Sequence, residues 1–111
     1  MLFDLHSHTT CSDGVLTPHD LISRAVENGV DFLAITDHDT IDAYRDISLA
    51  QEHLKVVPGI ELSTQWESTG IHVLGLNIDL NSDAIISAAE IQSEARLQRA
   101  RRIGEDSKKR V

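Results

Sequence analysis

The chain has 111 residues, with 18 acidic side chains against 10 basic ones, a formal net charge of −8 and a hydrophobic share of 41%. This length and composition fit one small globular domain, and the acidic balance argues against a protein that coats nucleic acid by general electrostatic attraction. Residues 1–95 hold 3 basic and 16 acidic side chains, whereas residues 96–111 hold 7 basic and 2 acidic ones. The first stretch repels itself unless a cation joins it, and metal ions are one candidate.

The single cysteine, Cys11, excludes an intramolecular disulfide and fits a reducing compartment. The N-terminus has neither the basic segment nor the long apolar core of a signal peptide, and no run approaches the ~18 apolar residues that a membrane span requires. We therefore expect a cytoplasmic chain with no membrane partner.

Strand and helix patterns alternate from the N-terminus. Polarity alternates over residues 1–8, as in a half-buried strand. Thr17 and Pro18 are typical of the N-cap and first position of a helix, and Gly29 is typical of its end. The apolar run at residues 32–35 then predicts a strand that is buried on both faces. This order predicts an α/β fold with a parallel sheet and crossover helices.

Four further elements follow. Thr40 is expected to cap a second helix, whose apolar residues recur at helical spacing as far as Leu54. Strand signals come next at residues 56–57, 60–62 and 71–76. The segment between the last two strands carries a turn signal and no helical stretch, so these two strands could instead form a local hairpin.

The sequence changes character in its last third. A cap cluster at residues 81–83 begins one long predicted helix, rich in Ala, Glu, Gln and Arg and with a weak apolar stripe. We therefore predict two structural units, residues 1–80 and residues 81–111. The basic side chains of residues 96–110 either bind RNA or a partner, or only solvate an exposed helix face.

Six candidate metal ligands lie at or near the predicted strands: His6, His8, Asp13, His38, Glu61 and His72. His6 and His8 stand two residues apart on one strand, so their imidazoles project from the same face. Asp13, His38 and Glu61 each follow a predicted strand. His72 lies near the start of its strand and fits the pattern only if the last two strands form a hairpin. Because ligands converge at the carboxyl ends of parallel strands, the pattern predicts a metal site.

Each candidate taken alone has a simpler explanation. A His-x-His pair at a strand end can be incidental, Asp13 is a typical turn residue, and Glu61 could be a solvated loop carboxylate. Their recurrence at successive strand ends favours metal binding. A mixed set of histidines and carboxylates suits Zn, Mn or Fe better than Mg or Ca. Ions bridged by a carboxylate would hydrolyse phosphate esters with a metal-activated water, so no side chain is assigned as the catalytic group.

The remaining polar residues are given supporting roles. His19 and His53 are expected on the surface, and Cys11 is expected to be a half-buried filler. Carboxylates near metal sites often orient the ligating imidazoles through the remaining ring N–H. Three aspartates are expected to do so: Asp4, Asp37 and Asp39.

Four segments resemble, in order, motifs of the PHP (polymerase and histidinol phosphatase) family: residues 3–14 (FDLHSHTTCSDG), 35–39 (ITDHD), 58–63 (PGIELS) and 72–76 (HVLGL). Within that family the sequence is most similar to the branch of nucleoside 3′,5′-bisphosphate phosphatases and RNase AM-type 5′–3′ exoribonucleases. The resemblance covers residues 1–80.

The resemblance implies the N-terminal portion of a distorted (β/α)7 barrel with up to three metals at its carboxyl face, followed by a helix from an inserted helical segment. It assigns the six ligands to the three metals: the first held by His6 and His8, the second by His72 with Glu61 bridging to the first, and the third by Asp13 and His38. The family's full ligand set includes a further His and an Asp-x-His pair, but no histidine follows His72. We therefore expect the 111-residue chain alone to be inactive and to bind metal only weakly.

The implied function is metal-dependent hydrolysis of a phosphate ester of a nucleotide or of an RNA 5′ end, with no DNA partner expected. One alternative is another branch of the family, the histidinol phosphatases or the polymerase-associated domains. Asp13 and its short loop favour the nucleotide branch. Another alternative is a non-catalytic fragment that binds RNA or a protein partner through residues 96–110.

Overall fold

The computed structural model describes residues 1–66 and 69–109, with side chains described for residues 1–64 and 69–102. Its elements in chain order are β1 (Phe3–Ser7), α1 (Pro18–Glu27), β2 (Phe32–Ile35), a 3₁₀ turn (Asp42–Arg45), β3 (Lys55–Val56), β4 (Gly59–Trp66), β5 (Thr69–Leu76) and α2 (Asp83–Lys109). The predicted α/β class is confirmed.

Local signals in the sequence fix both ends of α1. The Thr17 hydroxyl accepts a hydrogen bond from the Asp20 amide at 3.2 Å, and Pro18 occupies the first helical position. Asn28 caps the other end, and Gly29 follows with a φ of +76°, a left-handed conformation that glycine adopts without steric cost. The predicted start and end of this helix are therefore confirmed.

Strands β1, β2 and β3 form a parallel sheet in that order, with β2 at its centre. Leu33, Ala34 and Ile35 are fully buried there, as their continuous apolar run predicts. The apolar face of α1 packs over this sheet. The resulting core consists of Ile22, Ala25, Val30, Leu33, Ile35, Ala43, Leu54 and Val56.

The second helix predicted from Thr40 to Leu54 is wrong. Thr40 does accept a hydrogen bond from the Asp42 amide, but the chain makes only the 3₁₀ turn Asp42–Arg45. Tyr44 on that turn bonds through its hydroxyl to the main chain of Ile35 and to the Gly59 amide, 2.9 Å away. Tertiary contacts of one polar side chain therefore override the helical spacing of the apolar residues.

Strands β4 and β5 form an antiparallel hairpin, which the sequence had left as one of two possibilities. A main-chain bridge between His38 and Glu61 joins this hairpin to the segment that follows β2. Glu61 therefore lies within β4 and not beyond the end of a strand as predicted. His72 lies on the neighbouring strand, where it pairs with Ser63.

The outer part of the hairpin carries exposed apolar side chains. Ile71, Val73, Leu74 and Leu76 of β5 are between 39% and 50% exposed.

Among the described residues, no helix is both long enough and apolar enough to cross a membrane.

Replacing Tyr44 by Phe is expected to lower the free energy of unfolding by about 1–3 kcal/mol, because the buried amides of Ile35 and Gly59 lose a hydrogen-bond acceptor. Burial raises the pKa of Tyr44 to about 12, so the hydroxyl is protonated at neutral pH and both donates and accepts. Urea denaturation of the wild-type and variant chains measures the difference.

Asp42→Asn is the matched control on the same 3₁₀ turn. Its carboxylate makes only an exposed ion pair, 3.5 Å from Arg45 Nε, and such pairs contribute little. We expect a change below about 0.5 kcal/mol. An equal loss in the two variants would contradict the role given to the Tyr44 hydroxyl.

Candidate metal centre

Glu61 lies at the centre of a cluster of histidines. Its Oε1 is 2.5 Å from His6 Nε2, while its Oε2 is 2.9 Å from His38 Nδ1 and 3.0 Å from His72 Nδ1. Glu61 itself is only 7% exposed, whereas the side chains of His6 and His72 are more than half exposed, so the carboxylate is reached by solvent from their side only. Each carboxylate oxygen therefore faces a different group of imidazoles, as in a carboxylate that bridges two ions.

Asp13 forms the second anionic point of the cluster. Its Oδ1 is 3.2 Å from His8 Nδ1, and its Oδ2 is 3.1 Å from His38 Nε2. His8 also directs Nε2 towards Glu61 Oε1, at 3.8 Å. The rings of His8 and His38 thus each lie between the two carboxylates.

The structure brings together all six residues that the sequence singles out. Their ligand atoms form three groups, in each of which the atoms lie within 4.8 Å of one another: His6, His8 and Glu61; His8, Asp13 and His38; His38, Glu61 and His72. Since metal–ligand bonds to nitrogen and oxygen are about 2.0–2.2 Å long, each group is compact enough to be spanned by one ion.

Two buried ring nitrogens indicate how well the cluster fits a metal. His8 Nδ1 and His38 Nδ1 are buried and make no hydrogen bond, although a carboxylate oxygen lies within 3.2 Å of each. The distances are short, but the directions do not suit an N–H donor. Buried polar atoms are rarely left in this state unless something else satisfies them. Imidazole nitrogens and carboxylate oxygens that converge in this way are suitable ligands for a divalent cation.

The charges of the cluster act on Glu61. Burial alone would raise the pKa of this carboxyl, but the His6 hydrogen bond, the charges of His38 and His6 and the His72 hydrogen bond outweigh it and lower the pKa. Glu61 is therefore ionised at neutral pH, with both oxygens available to accept.

A tight turn after β1 places Asp13 opposite His8. The Gly14 amide donates to the Thr9 carbonyl at 2.8 Å, which folds the loop back onto the strand end. A Cβ at Gly14 would lie 2.3 Å from the His8 carbonyl oxygen, so only glycine fits there. The close approach at Gly14 therefore helps to set the separation of Asp13 and His8.

The expectation that three aspartates orient the imidazole rings is wrong, because Asp4, Asp37 and Asp39 contact other groups. Asp37, 1% exposed, accepts from the Thr9 amide and hydroxyl, both at 2.6 Å, and from the Ser12 hydroxyl at 2.7 Å. Asp4 accepts from the main-chain amide of His6. These carboxylates hold loops and strand ends, and so act on the histidines through the backbone.

Asp39 is held by residues that the sequence interpretation missed. Arg96 of α2 donates to Asp39 Oδ2 from Nε at 3.0 Å and from Nη2 at 2.9 Å, and the Ser93 hydroxyl donates to the Asp39 carbonyl at 2.7 Å. Only the start of the basic segment at Arg96 pointed to this contact, and that segment was interpreted as a solvated face or an RNA-binding surface.

The other minor predictions are confirmed. His19 and His53 are exposed, and Cys11 is half-buried against the core.

A cavity of about 540 Å³ lies between the Asp13 loop and α2. His38 and Arg96 both line it, so it opens directly beside the candidate ligands.

Two characterised relatives are similar to nearly the whole chain. The 5′-3′ exoribonuclease Rnm of Escherichia coli is 49% identical over 109 residues, which are 95% of this chain and 37% of the relative. The 3′,5′-nucleoside bisphosphate phosphatase of Chromobacterium violaceum is 36% identical over 103 residues, which are 91% of this chain and 36% of the relative. The chain thus spans somewhat more than a third of the length of these relatives.

Two solved structures share the fold. A Chromobacterium violaceum protein described as an amidohydrolase, with bound sulfate and no metal, matches 95% of this chain and 38% of its own, with a TM-score of 0.85 and 34% identity. A proposed metal-dependent phosphoesterase of Bifidobacterium adolescentis matches 96% of this chain and 38% of its own, with a TM-score of 0.77 and 31% identity.

A family model supports the resemblance seen in the motifs. The model described as the PHP domain matches residues 4–103, which include all six candidate ligands and most of α2. The chain belongs to the PHP domain family.

Proposed function

We propose that this chain supplies the metal-binding region of a phosphoesterase that hydrolyses phosphate esters of nucleotides or of RNA 5′ ends. The observation that carries the proposal is the position of Glu61, whose two oxygens each lie within 3.0 Å of histidine nitrogens on different sides. In hydrolases that use two ions, the ions lie about 3.5–4 Å apart and clamp one phosphoryl group, and a carboxylate with two free oxygens is suited to hold cations at that separation.

The proposed assignment distributes the six residues over as many as three divalent ions, with Mn, Zn and Fe as candidates. His6 and His8 would hold the first, His72 the second and Asp13 with His38 the third, and Glu61 would be shared between the first and the second. Bound ions supply Lewis acidity and lower the pKa of a coordinated water.

The side chains of the chain prepare the site for those ions. Glu61 remains ionised because its histidine neighbours lower its pKa, and it therefore offers two negative oxygens at neutral pH. The Nδ1 atoms of His8 and His38 are buried, so water does not compete for these two nitrogens. The cavity of about 540 Å³ beside Asp13 and His38 falls within the usual size range of small-molecule sites.

The names of the relatives support this substrate class. One is an exoribonuclease and the other a nucleoside bisphosphate phosphatase, and both act on phosphate esters of nucleotides. Because the chain spans only 37% of the exoribonuclease, the activity and substrate are a proposal. The division into a barrel portion at residues 1–80 and an inserted helical segment from residue 81 is also a proposal. The proposed compartment is the cytoplasm, since the single Cys11 fits a reducing environment.

Glu61→Gln is expected to weaken the binding of Zn or Mn to the chain by at least about tenfold, because the variant loses the negative charge and one of the two oxygens that face the histidines. Isothermal titration of the purified chain measures the affinity. His19→Ala removes an exposed histidine from α1 and serves as the control, with no change expected. Equal affinities in the wild type and Glu61→Gln would contradict the site.

The activity is tested by a chimera in which residues 1–111 replace the matching region of the E. coli exoribonuclease. We expect the chimera to degrade RNA from its 5′ end. The rate of its Glu61→Gln variant should be lower by about 100-fold or more, since bridging metal ligands are central to such hydrolysis. The 111-residue chain by itself is expected to be inactive.

Three outcomes would count against these expectations. Turnover of a nucleoside bisphosphate or RNA by the 111-residue chain alone would contradict the need for further ligands. An intact rate in the Glu61→Gln chimera, or a folded chimera with no activity, would contradict the proposed function.

A further inference from the structure

We propose that Arg96 is a positioning residue for the metal centre, because it fixes α2 to the loop that carries His38 through its ion pair with Asp39. This inference rests on the proposed function, since it concerns one of the same ligands. Arg96 does not itself contact a candidate ligand in the described hydrogen bonds and ion pairs. It acts through the residue that follows His38.

Arg96 is about half exposed, but its guanidinium makes three hydrogen bonds to neighbouring elements and so serves as a structural anchor. Nε and Nη2 both donate to Asp39 Oδ2, at 3.0 and 2.9 Å, and Nη2 also donates to the Ser63 hydroxyl at 2.7 Å. Asp39 is 1% exposed, whereas the side chain of Arg96 is 47% exposed. A carboxylate buried to that degree requires a charged or hydrogen-bonding partner, and among the described side chains Arg96 is its charged partner.

The rest of Asp39 is held just as firmly. Its Oδ1 accepts from the Ser63 amide at 2.7 Å, its own amide donates to the Glu61 carbonyl at 3.0 Å, and its carbonyl accepts from the Ser93 hydroxyl. The residue has a φ of +58°, a left-handed conformation that non-glycine residues rarely adopt and that surrounding contacts must maintain. Asp39 is therefore fixed to β4 on one side and to α2 on the other.

The adjacent residue is the ligand with the most demanding geometry. His38 lies between Asp13 and Glu61, with its two ring nitrogens 3.1 and 2.9 Å from their oxygens. A shift of the Asp39 backbone would move the His38 ring relative to both carboxylates. Partners that hydrogen-bond a metal ligand directly typically contribute 10- to 100-fold to metal affinity. Arg96 acts one step further out, through Asp39, so we expect an effect near the lower end of that range.

The coupling works in both directions. If docking of α2 through Arg96 improves the arrangement of His38, a metal bound to His38 must stabilise the docking of α2 by the same factor. The docking of α2 also affects the space available to a substrate. Arg96 lines two cavities, one together with Asp13 and His38 and the other together with His72, so the position of α2 sets the shape of both.

The test compares three variants by titration with Co(II), whose visible spectrum reports the geometry of its ligands. Arg96→Met is expected to bind Co(II) about tenfold more weakly than the wild type and to change the spectrum of the bound ion. Arg96→Lys keeps the charge but not the forked contact, and should recover part of the affinity. Arg101→Met removes the same charge from an exposed position of α2 and should bind within about twofold of the wild type.

A double variant separates positioning from simple stability. Arg96→Met leaves the buried Asp39 carboxylate without its charged partner, which could unfold the chain. Asp39→Asn removes that stranded charge, so Asp39→Asn with Arg96→Met is the folded alternative, checked by circular dichroism. If the pair acts as one unit, the double variant should bind Co(II) no more weakly than Asp39→Asn alone.

The outcomes distinguish this inference from the function on which it rests. Wild-type affinity and spectrum in a folded Arg96→Met chain, equal losses in Arg96→Met and Arg101→Met, or additive losses in the double variant would each overturn the positioning role and leave the metal site intact. A wild-type chain that binds no Co(II) would contradict the metal site itself, and with it the positioning role.

Discussion

The pairing of His38 with Glu61 through the main chain is the constraint on which the rest of the site depends. The Asp39 amide donates to the Glu61 carbonyl and the Glu61 amide donates to the Asp37 carbonyl, so the hairpin β4–β5 is attached to the segment after β2 at this point. Without that attachment, the carboxylate on β4 would have no fixed position relative to His6 on β1 and His8 just after it. The ladder of backbone hydrogen bonds thus decides which side chains meet.

A second set of contacts fixes the loops that the backbone ladder does not reach. Asp37 accepts hydrogen bonds from Thr9 and Ser12, and Gly14 allows the same loop to fold closely over His8. These hydrogen bonds join neutral donors to a buried carboxylate and do not depend on a bound metal. The loop therefore has a defined shape before any ion binds, which lowers the cost of assembling the site.

Features that depend on residues close together in sequence were easier to predict than features that depend on residues far apart in sequence. The ends of α1 were predictable because Thr17 and Gly29 act within a few residues of themselves. The convergence of the six candidate residues was predictable because each lies at or near a strand, and their role as metal ligands stays a prediction. The helix expected after Thr40 failed because the Tyr44 hydroxyl bonds to strands that are distant in sequence. The Arg96–Asp39 pair, 57 residues apart, leaves no local pattern at all.

The uneven charge of the sequence has a physical origin in these contacts. Within the acidic first 95 residues, three carboxylates are nearly buried, and each has a different kind of partner: hydroxyls and amides for Asp37, histidines for Glu61 and a guanidinium for Asp39. The guanidinium comes from the first residue of the basic segment. The basic segment is thus not electrostatically separate from the acidic one, because its first side chain neutralises a buried charge beside His38. The predicted boundary at residue 80 divides the chain by sequence character, but the charges of the site cross it.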